Sequence, residues 1–265
     1  MTGQASGVTA ETVRTLAESL DDAARNRTTV SSLSARHDLD VAAAYQVQEQ
    51  LVALREARGE RIIGGKLGLT SKAKQVAMGV HQPLYGIVTS DMVLHSGGPL
   101  VLDALIHPRV EPEVAFVLKA PVSGPDASAT DVLAATSYVC AALDVIDSRY
   151  DGFSFTYADV VADNASSAAF VLGSDLVPPA MDLALAGCVL EVDGEVADTA
   201  AGAAVLGHPA ASVAFMANEL AVAGKRLEAG WVVLSGGLTA PVPMVAGRTV
   251  TATIAGIGSV SLTAK

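Results

Sequence analysis

The chain is poor in cysteine, in aromatic residues and in positive charge. Its 265 residues include two cysteines, Cys140 and Cys188, which are too few for a disulfide framework. We therefore expect both to stay reduced, as in a cytoplasmic protein. A formal net charge of −11 argues against a nucleic-acid or anionic-membrane surface, so neither partner is expected. A small anionic substrate would have to be met by a local cation.

Targeting signals and long apolar runs are also missing. The first six residues lack both a basic region and an apolar run, so no signal peptide is predicted. The apolar region 183–192 is too short to span a bilayer and is flanked by Asp182 and Asp193. Because 51% of the residues are hydrophobic and 17% are charged, the chain has enough apolar material for a folded core.

Several catalytic signatures are absent as well. The five histidines show no H-x-x-x-H or H-x-H spacing, which argues against a zinc site. There is no G-x-S-x-G elbow of a serine hydrolase and no Rossmann fingerprint of an NAD enzyme. Gly64-Gly65-Lys66 lacks the spacing of a phosphate-binding loop.

The segment from His107 to Leu118 carries the most informative pattern. The β-branched and aromatic residues of its second half predict a strand, whose alternation puts Glu111 and Glu113 on one face, roughly 6–7 Å apart. Such carboxylates repel each other unless a cation lies between them, and oxygen ligands suit Mg²⁺ or Mn²⁺. Because Pro112 has no N–H, the strand should be an edge or be interrupted there. The alternative is a solvated edge with two exposed glutamates, and spacing alone does not separate the two.

Two further segments carry ionisable residues in apolar surroundings. Lys66 lies in a glycine-punctuated strand over residues 62–71, where an ammonium must reach an anion or water. It could hold a substrate carboxylate, donate a proton, or extend into solvent from an edge strand. A predicted strand over 142–149 places Asp144 and Asp147 on opposite faces, so they should do different jobs. Asp144 could be a third metal carboxylate, and Asp147 could pair with Arg149 or a cap.

The remaining pattern predicts an α+β protein with two parts. Residues 1–60 form an N-terminal helical arm, and residues 61–265 form a β-rich catalytic domain. The helices are predicted at about 9–26, from Asp40 to Gly59, 72–79, 130–142 and 210–222. Residues 81–86 predict a turn, Asp193-Gly194 a hairpin, and the other strands fall at 107–118, 165–173, 188–192, 195–197, 231–234, 250–254 and 259–262.

Six short motifs occur in a characteristic order and together resemble the hydratase/decarboxylase branch of the fumarylacetoacetate hydrolase superfamily. The resemblance covers nearly the whole chain from the second helix onward. The motifs are Gly65-Lys66-Leu67-Gly68-Leu69-Thr70-Ser71, His107-Pro108-Arg109-Val110-Glu111-Pro112-Glu113, Ile146-Asp147-Ser148-Arg149-Tyr150, Ala162-Asp163-Asn164-Ala165-Ser166-Ser167, Val205-Leu206-Gly207-His208-Pro209 and Leu234-Ser235-Gly236-Gly237-Leu238-Thr239.

The resemblance implies a mixed β-roll core and a divalent metal, Mg²⁺ or Mn²⁺, held by three carboxylates. Glu111 and Glu113 match the first two ligands, and Asp144 stands where this branch usually has glutamate. Lys66 matches the family's active-site lysine. The positions implied to contact the substrate, a small anionic 2-oxo acid, are Leu69, Ser71, Leu84, Ser166 and Thr239.

Two reactions follow from the resemblance, both in the meta-cleavage degradation of aromatic compounds. One is metal-dependent decarboxylation of 4-oxalocrotonate (2-oxohex-3-enedioate) to 2-hydroxypenta-2,4-dienoate; the other is hydration of that product (2-keto-4-pentenoate hydratase activity). The family's hydratases usually carry an acid just before the aromatic residue of the segment Pro83-Leu84-Tyr85-Gly86. Leu84 cannot exchange a proton, which favours decarboxylation.

Two other functions are compatible with the sequence. The chain could be an inactive partner subunit, or it could hydrolyse a C–C bond with His81 or His107 as base. The resemblance implies a homo-oligomer and a complex with a companion hydratase. The turn at 97–98 and the loop at 150–160 are candidate lids over the site.

Overall fold

The protein is described by a computed structural model that covers residues 8–265, except for the side chain of Ala77. The predicted lack of a signal peptide concerns residues that lie outside this range. Among the residues described, no helix is both long enough and apolar enough to cross a membrane.

Six α-helices lie within the described range. They are α1 (Ala10–Asn26), α2 (Val41–Ala57), α3 (Lys72–Ala77), α4 (Ala129–Ala135), α5 (Tyr157–Ala162) and α6 (Pro209–Val222). The first two begin where the sequence supplies a cap, because the side chains of Thr9 and Asp40 accept hydrogen bonds from the first-turn amides of Thr12 and Ala43.

Thirteen β-strands form two sheets in the same range. They are β1 (Ile62–Gly68), β2 (Leu84–Thr89), β3 (Val93–Leu94), β4 (Pro99–Leu100), β5 (Arg109–Leu118), β6 (Thr136–Ile146), β7 (Ser167–Leu172), β8 (Gly187–Val192), β9 (Glu195–Ala201), β10 (Val232–Leu234), β11 (Val242–Pro243), β12 (Thr249–Ile254) and β13 (Gly258–Ala264).

The larger sheet has eight strands in the order β2-β1-β10-β5-β6-β7-β3, with β11 pairing with β5 beyond the end of β10. Its β1–β10 and β3–β7 pairs are parallel and its other pairs are antiparallel, so the sheet is mixed. The second sheet has the order β4-β13-β12-β8-β9. The two sheets share one apolar core, in which Val114 and Leu143 of the larger sheet lie with Val250 and Leu262 of the smaller one. The expected α+β fold is confirmed.

The N-terminal helices pack on the larger part of the chain through a second apolar cluster. Leu16 and Leu20 of α1 and Val47 of α2 are buried together with Val161 of α5 and Leu84 of β2. Gln48 of α2 donates hydrogen bonds to backbone carbonyls of β2 and α5 at 2.9 and 3.0 Å. The helical arm therefore packs against elements that also border the site described below.

Of the two alternatives expected at Pro112, an edge strand or an interrupted one, the structure shows the interruption, because β5 is paired on both sides. On one side the whole strand pairs with β6. On the other side the ladder with β10 ends at Ala115, and pairing resumes with β11 at Val110. Pro112 lies in this interruption, where no ladder N–H is needed.

Two predicted elements differ from the structure. The helix expected over 130–142 ends at Ala135, and Thr136 begins β6. The helical stripe in this region was misleading because residues 136–142 are β-branched, aromatic or small, and pairing with β5 satisfies their backbone. The turn expected over 81–86 ends early, since Leu84 already lies in β2.

Candidate active site

Three carboxylates meet at the centre of the larger sheet. Glu111 on β5 lies directly opposite Asp144 on β6 in the antiparallel register, and Glu113 follows two residues later on the same face. One oxygen from each of the three lies within 4.8 Å of the others, and all three residues are buried. The alternative of a solvated edge with exposed glutamates is therefore wrong.

Two lysines partly neutralise these acids. Lys66 Nζ lies 2.5 Å from Asp144 Oδ2, and both side chains are buried. Lys74 on α3 lies 2.6 Å from Glu111 Oε2 and is half-buried. Since β1 is flanked by β2 and β10, Lys66 is not an edge-strand lysine that reaches solvent. Burial lowers the pKa of the Lys74 amine, but the neighbouring Glu111, Glu113 and Asp144 together raise it more, so this amine stays charged.

Of the three acids, Glu113 has the fewest neighbouring groups that would stabilise its negative charge. Its Oε2 accepts a hydrogen bond from the N–H of Gly236 at 2.5 Å, whereas its Oε1 is buried without a partner among the described residues. Burial raises the pKa of Glu113 well above its ordinary value, and the nearby Asp144 and Glu111 raise it further. Burial also raises the pKa of Asp144, although Lys66 opposes this effect.

These features fit a divalent cation. Buried polar atoms normally have partners, and the free oxygen of Glu113 lies in a group of three carboxylates. A hard cation among them would supply that partner and relieve their repulsion, and all three donors are of the oxygen type that Mg²⁺ and Mn²⁺ prefer. The residues present therefore fit the metal that the family resemblance implies.

A glycine turn lets the backbone approach the acids closely. Gly236 has φ +102°, and a Cβ there would lie 2.2 Å from Thr70 Oγ1. A Cβ on Gly237 would lie 2.1 Å from Glu111 Oε2. The positive φ of Gly236 and its close approach to Thr70 favour glycine there, and a side chain at Gly237 would displace the Glu111 and Lys74 side chains.

A cavity of about 270 Å³ opens beside the acid cluster. One part of its wall is charged and contains Lys66, Lys74 and Glu111. Another part is apolar, and its residues are Leu69, Leu84, Phe153, Phe155 and Val160. Arg109 of β5 and Ser166 also line the cavity.

The predicted substrate-contacting residues do not all lie on this wall. Leu69, Leu84 and Ser166 line the cavity. Ser71 instead caps α3 by accepting a hydrogen bond from the Lys74 amide at 3.1 Å. Thr239 is buried and donates to the carbonyl of Ala240 at 3.1 Å.

Two charged residues of the site were not among the predicted site residues. Lys74 follows the helix cap Ser71 by three residues, and no sequence pattern shows that it reaches Glu111. Arg109 stands two residues before Glu111, so strand alternation alone could have placed it on the same face.

Asp147 and two histidines have structural surroundings. Asp147 accepts hydrogen bonds from the amides of Ile106 and His107 at 2.8 and 2.7 Å, so it does cap a loop. The His107 ring contacts the Ser148 carbonyl at 2.7 Å, and His81 is exposed. Neither histidine lines the cavity, so the structure gives no support to a histidine base.

Of the two candidate lids, the loop between β6 and α5 borders the cavity through Phe153 and Phe155, while the turn at 97–98 does not line it. A second element of the wall is the turn Asn164–Ser166, where three successive residues have φ between 50° and 57°. The Asn164 side chain fixes this turn through the amide and the carbonyl of Ile87, at 2.7 and 2.8 Å. Such conformations persist where the surroundings hold them firmly.

Comparisons with known proteins agree with this fold. Residues 61–264 match the family described as fumarylacetoacetate (FAA) hydrolase C-terminal. A 4-oxalocrotonate decarboxylase of Pseudomonas sp. strain CF600 is 46% identical over 225 residues, which cover 84% of this chain and 85% of that protein. A 2-hydroxyhexa-2,4-dienoate hydratase of Comamonas testosteroni is 41% identical, with 94% of this chain and 96% of that protein covered.

Solved structures extend the likeness to three dimensions. The 4-oxalocrotonate decarboxylase from Pseudomonas putida G7, complexed with magnesium and adipate, has a TM-score of 0.94 and 42% identity. The match covers 98% of this chain and 100% of that one. A fumarylpyruvate hydrolase from Pseudomonas aeruginosa, 16% identical with a TM-score of 0.59 over 76% of this chain and 88% of that one, shares the fold. The chain belongs to the fumarylacetoacetate hydrolase family.

Proposed function

We propose that the protein is a divalent-metal-dependent decarboxylase that converts 4-oxalocrotonate to 2-hydroxypenta-2,4-dienoate and CO₂. The observation that carries this proposal is the contrast within the cavity between a charged part at the acid cluster and an apolar part around Leu84. Similarity to decarboxylases at 46% and 42% identity supports it. Similarity alone separates the two activities weakly, since related hydratases are 41% and 43% identical.

Glu111, Glu113 and Asp144 would hold Mg²⁺ or Mn²⁺ in this proposal. When bound, such a cation supplies Lewis-acid polarisation of the substrate's 2-oxo group. The three carboxylates are suited to binding a cation because β5 and β6 hold them together in a buried site. The unpartnered oxygen of Glu113 supports the assignment.

Lys66 would provide fixed positive charge at the 2-oxo end of the substrate. As the C5–C6 bond breaks, CO₂ leaves and the electron pair of that bond passes through the conjugated chain to the 2-oxo oxygen, which takes up a proton from water to give the 2-hydroxy group of the product. The Lys66 ammonium, held by Asp144 in a buried position, would stabilise negative charge developing there. A donor fixed in this way costs no reorganisation when the charge forms.

The apolar wall acts at the other end of the substrate. Leu84, Phe155 and Val160 offer no group that could give a proton to the chain of carbon atoms. They also exclude water from the carbon chain while CO₂ leaves. The family's hydratases usually have an acid where this chain has Leu84, so hydration is the alternative activity.

Ultraviolet absorbance would test the proposal with two substrates, each with Mg²⁺ and with EDTA. Consumption of 4-oxalocrotonate with CO₂ release, lost in EDTA, is the expected result. Hydration of 2-hydroxypenta-2,4-dienoate alone would make the enzyme a hydratase. Activity that survives EDTA would contradict the metal assignment, and absence of both turnover and metal binding would favour an inactive partner subunit.

Several broader features belong to the same proposal. We expect a small anionic 2-oxo acid as substrate, a homo-oligomer, and a complex with a companion hydratase, as the family resemblance implies. The division into residues 1–60 and 61–265 is supported by the family match over 61–264. A cytoplasmic location is supported by Cys140 and Cys188, which are both buried and unpaired.

A further inference from the structure

Arg109 occupies a distinct place on the cavity wall. It lies two residues before Glu111 on β5, so the two side chains share one face of the strand. Its guanidinium carbon lies 4.0 Å from the ring centroid of Phe153, which identifies a cation–π contact. The Phe153 ring also contacts the His107 ring, with centroids 4.6 Å apart. Arg109 is thus held against an aromatic ring on the cavity wall.

No acid neutralises this guanidinium within the described chain. Between residues 8 and 265, no carboxylate lies within ion-pair distance of Arg109. The other two cations of the cavity, Lys66 and Lys74, each lie against a carboxylate of the acid cluster. Among the described cations of the cavity, Arg109 therefore has a charge that no acid pairs with and that a ligand can meet.

The charges of the cavity then fit a dianion. Three carboxylates, two lysines and a bound divalent cation leave one positive charge at the acid cluster, which one substrate carboxylate neutralises. A second carboxylate would need a cation in another part of the cavity, where the wall is mostly apolar. Arg109 supplies it, because a guanidinium stacked on a ring still offers its edge to a carboxylate in two parallel hydrogen bonds.

We propose that Arg109 binds the second carboxylate of the substrate and thereby selects dicarboxylates over monocarboxylates of the same length. This inference rests on the proposed function, because it concerns the carboxylate that leaves as CO₂. The contact favours the bound substrate, and it weakens as the carboxylate loses its charge. Arg109 therefore contributes to substrate affinity and discrimination, and does not accelerate the chemical step.

The test compares two ligands that do not react. Adipate and hexanoate have six carbons each, but only adipate has a second carboxylate. Calorimetric titration into the Mg²⁺-loaded enzyme should show that Arg109→Gln weakens adipate binding by roughly 10–100-fold and leaves hexanoate binding unchanged. Equal losses for both ligands, or no loss for either, would overturn the proposal. So would a wild-type enzyme that binds adipate no more tightly than hexanoate.

Two further variants separate charge from structure. Arg109→Lys keeps the charge without the planar fork and should retain part of the preference for adipate. Arg226→Gln removes an exposed arginine that pairs with Glu228, and should bind both ligands as the wild type does. If Arg109→Gln does not fold, Arg109→Lys decides: a reduced preference for adipate with hexanoate binding unchanged supports the contact, whereas an unchanged preference or an equal loss of affinity for both ligands contradicts it.

Steady-state kinetics distinguish a failure of this inference from a failure of the proposed function. With 4-oxalocrotonate, Arg109→Gln should raise KM and leave kcat undiminished. A fall in kcat at constant KM would contradict the proposed role. If the wild type shows no turnover of 4-oxalocrotonate, the proposed function fails, whereas the comparison of adipate with hexanoate still decides what Arg109 does.

Discussion

Glu111 and Asp144 face each other across the β5–β6 ladder as directly opposed residues of an antiparallel pair. Like charges in this position destabilise a sheet. Each acid is compensated by a different lysine, Lys74 for Glu111 and Lys66 for Asp144. Glu113, on the same face, has no lysine of its own among the described residues. The fold thus holds together a group of acids whose repulsion a divalent cation would relieve.

Glu113→Gln should affect metal binding and stability in opposite directions. The variant lacks a charged ligand, so Mg²⁺ affinity and turnover should fall by more than ~100-fold, beyond the 10–100-fold typical of residues around a metal site. Because burial raises the pKa of Glu113, its ionised form destabilises the metal-free protein at neutral pH. Removing that charge should raise the metal-free Tm by about 2–4 °C for each kcal/mol relieved.

Calorimetric titration with Mg²⁺ and thermal unfolding in EDTA would measure the two effects. Glu195→Gln, at an exposed position of β9, is the matched control and should change neither. An unaltered Mg²⁺ affinity in Glu113→Gln would contradict its role as a ligand.

Lys66→Met should destabilise the metal-free protein and abolish most activity. Asp144 would be left as a buried carboxylate without its partner, at a cost of about 3–5 kcal/mol in the free energy of unfolding. Loss of the fixed cation should lower kcat by roughly 10²–10³-fold. Lys225→Met removes an exposed ion pair with Glu49 and should cost less than about 1 kcal/mol. Chemical denaturation in EDTA and steady-state kinetics with Mg²⁺ measure both; equal costs for the two variants would refute the buried pairing.

Leu84→Asp should shift the reaction towards hydration. The new acid would stand on the apolar wall of the cavity, where it could give a proton to the carbon chain. Decarboxylation of 4-oxalocrotonate should fall, and hydration of 2-hydroxypenta-2,4-dienoate should appear, to which a positioned general acid contributes roughly 10²–10⁴-fold. Leu84→Asn matches the shape without the proton and should lose decarboxylation only. Product analysis by chromatography distinguishes these outcomes, and hydration by the asparagine variant would argue against the acid.

Asp159→Asn should loosen the connection between the N-terminal arm and the cavity wall. Ser32 and Ser34 of the arm donate hydrogen bonds to Asp159 at 2.7 and 2.9 Å, and the Thr156 amide donates at 2.9 Å. Burial would raise the pKa of Asp159, but these hydrogen bonds outweigh it and the pKa lies below its ordinary value. The variant should unfold more easily at pH 7 by about 1.5–3 kcal/mol.

The pH dependence of that difference provides the check. A carboxylate whose pKa is lowered by folding stabilises the protein above its unfolded pKa of about 3.9 and loses this effect as the pH falls through the folded value. The gap between wild type and Asp159→Asn should therefore be full at pH 7 and shrink below about pH 4. A gap that stays constant down to pH 3 would mean that Asp159 is not bound as a carboxylate.

The elements that depend on residues close together in sequence were predicted best. The apolar stripes of α1 and α2, with Asp40 before the second helix, placed both helices within one or two residues. Asp193-Gly194 predicted the β8–β9 hairpin, and strand alternation put Glu111 and Glu113 on one face. Errors arose where distant strands decide the conformation, as at Thr136, where pairing with β5 makes a strand of a segment whose apolar spacing had predicted a helix.

The sequence by itself thus determined the helical arm, the hairpin, the oxygen-only character of the acid pair and, through its motifs, the family. The tertiary structure decided which strands flank β5, how Asp144 lies opposite Glu111, and which cations meet the acids. Lys74 reaches Glu111 from a short helix 37 residues away in sequence, while Arg109, two residues away, is held by Phe153 and not by any described acid. Local hydrogen bonds and periodicity fix the helical arm, the hairpin and the acid pair. Contacts between distant segments fix the strand order and the cations around the acids, because only the packed chain sets their distance and burial.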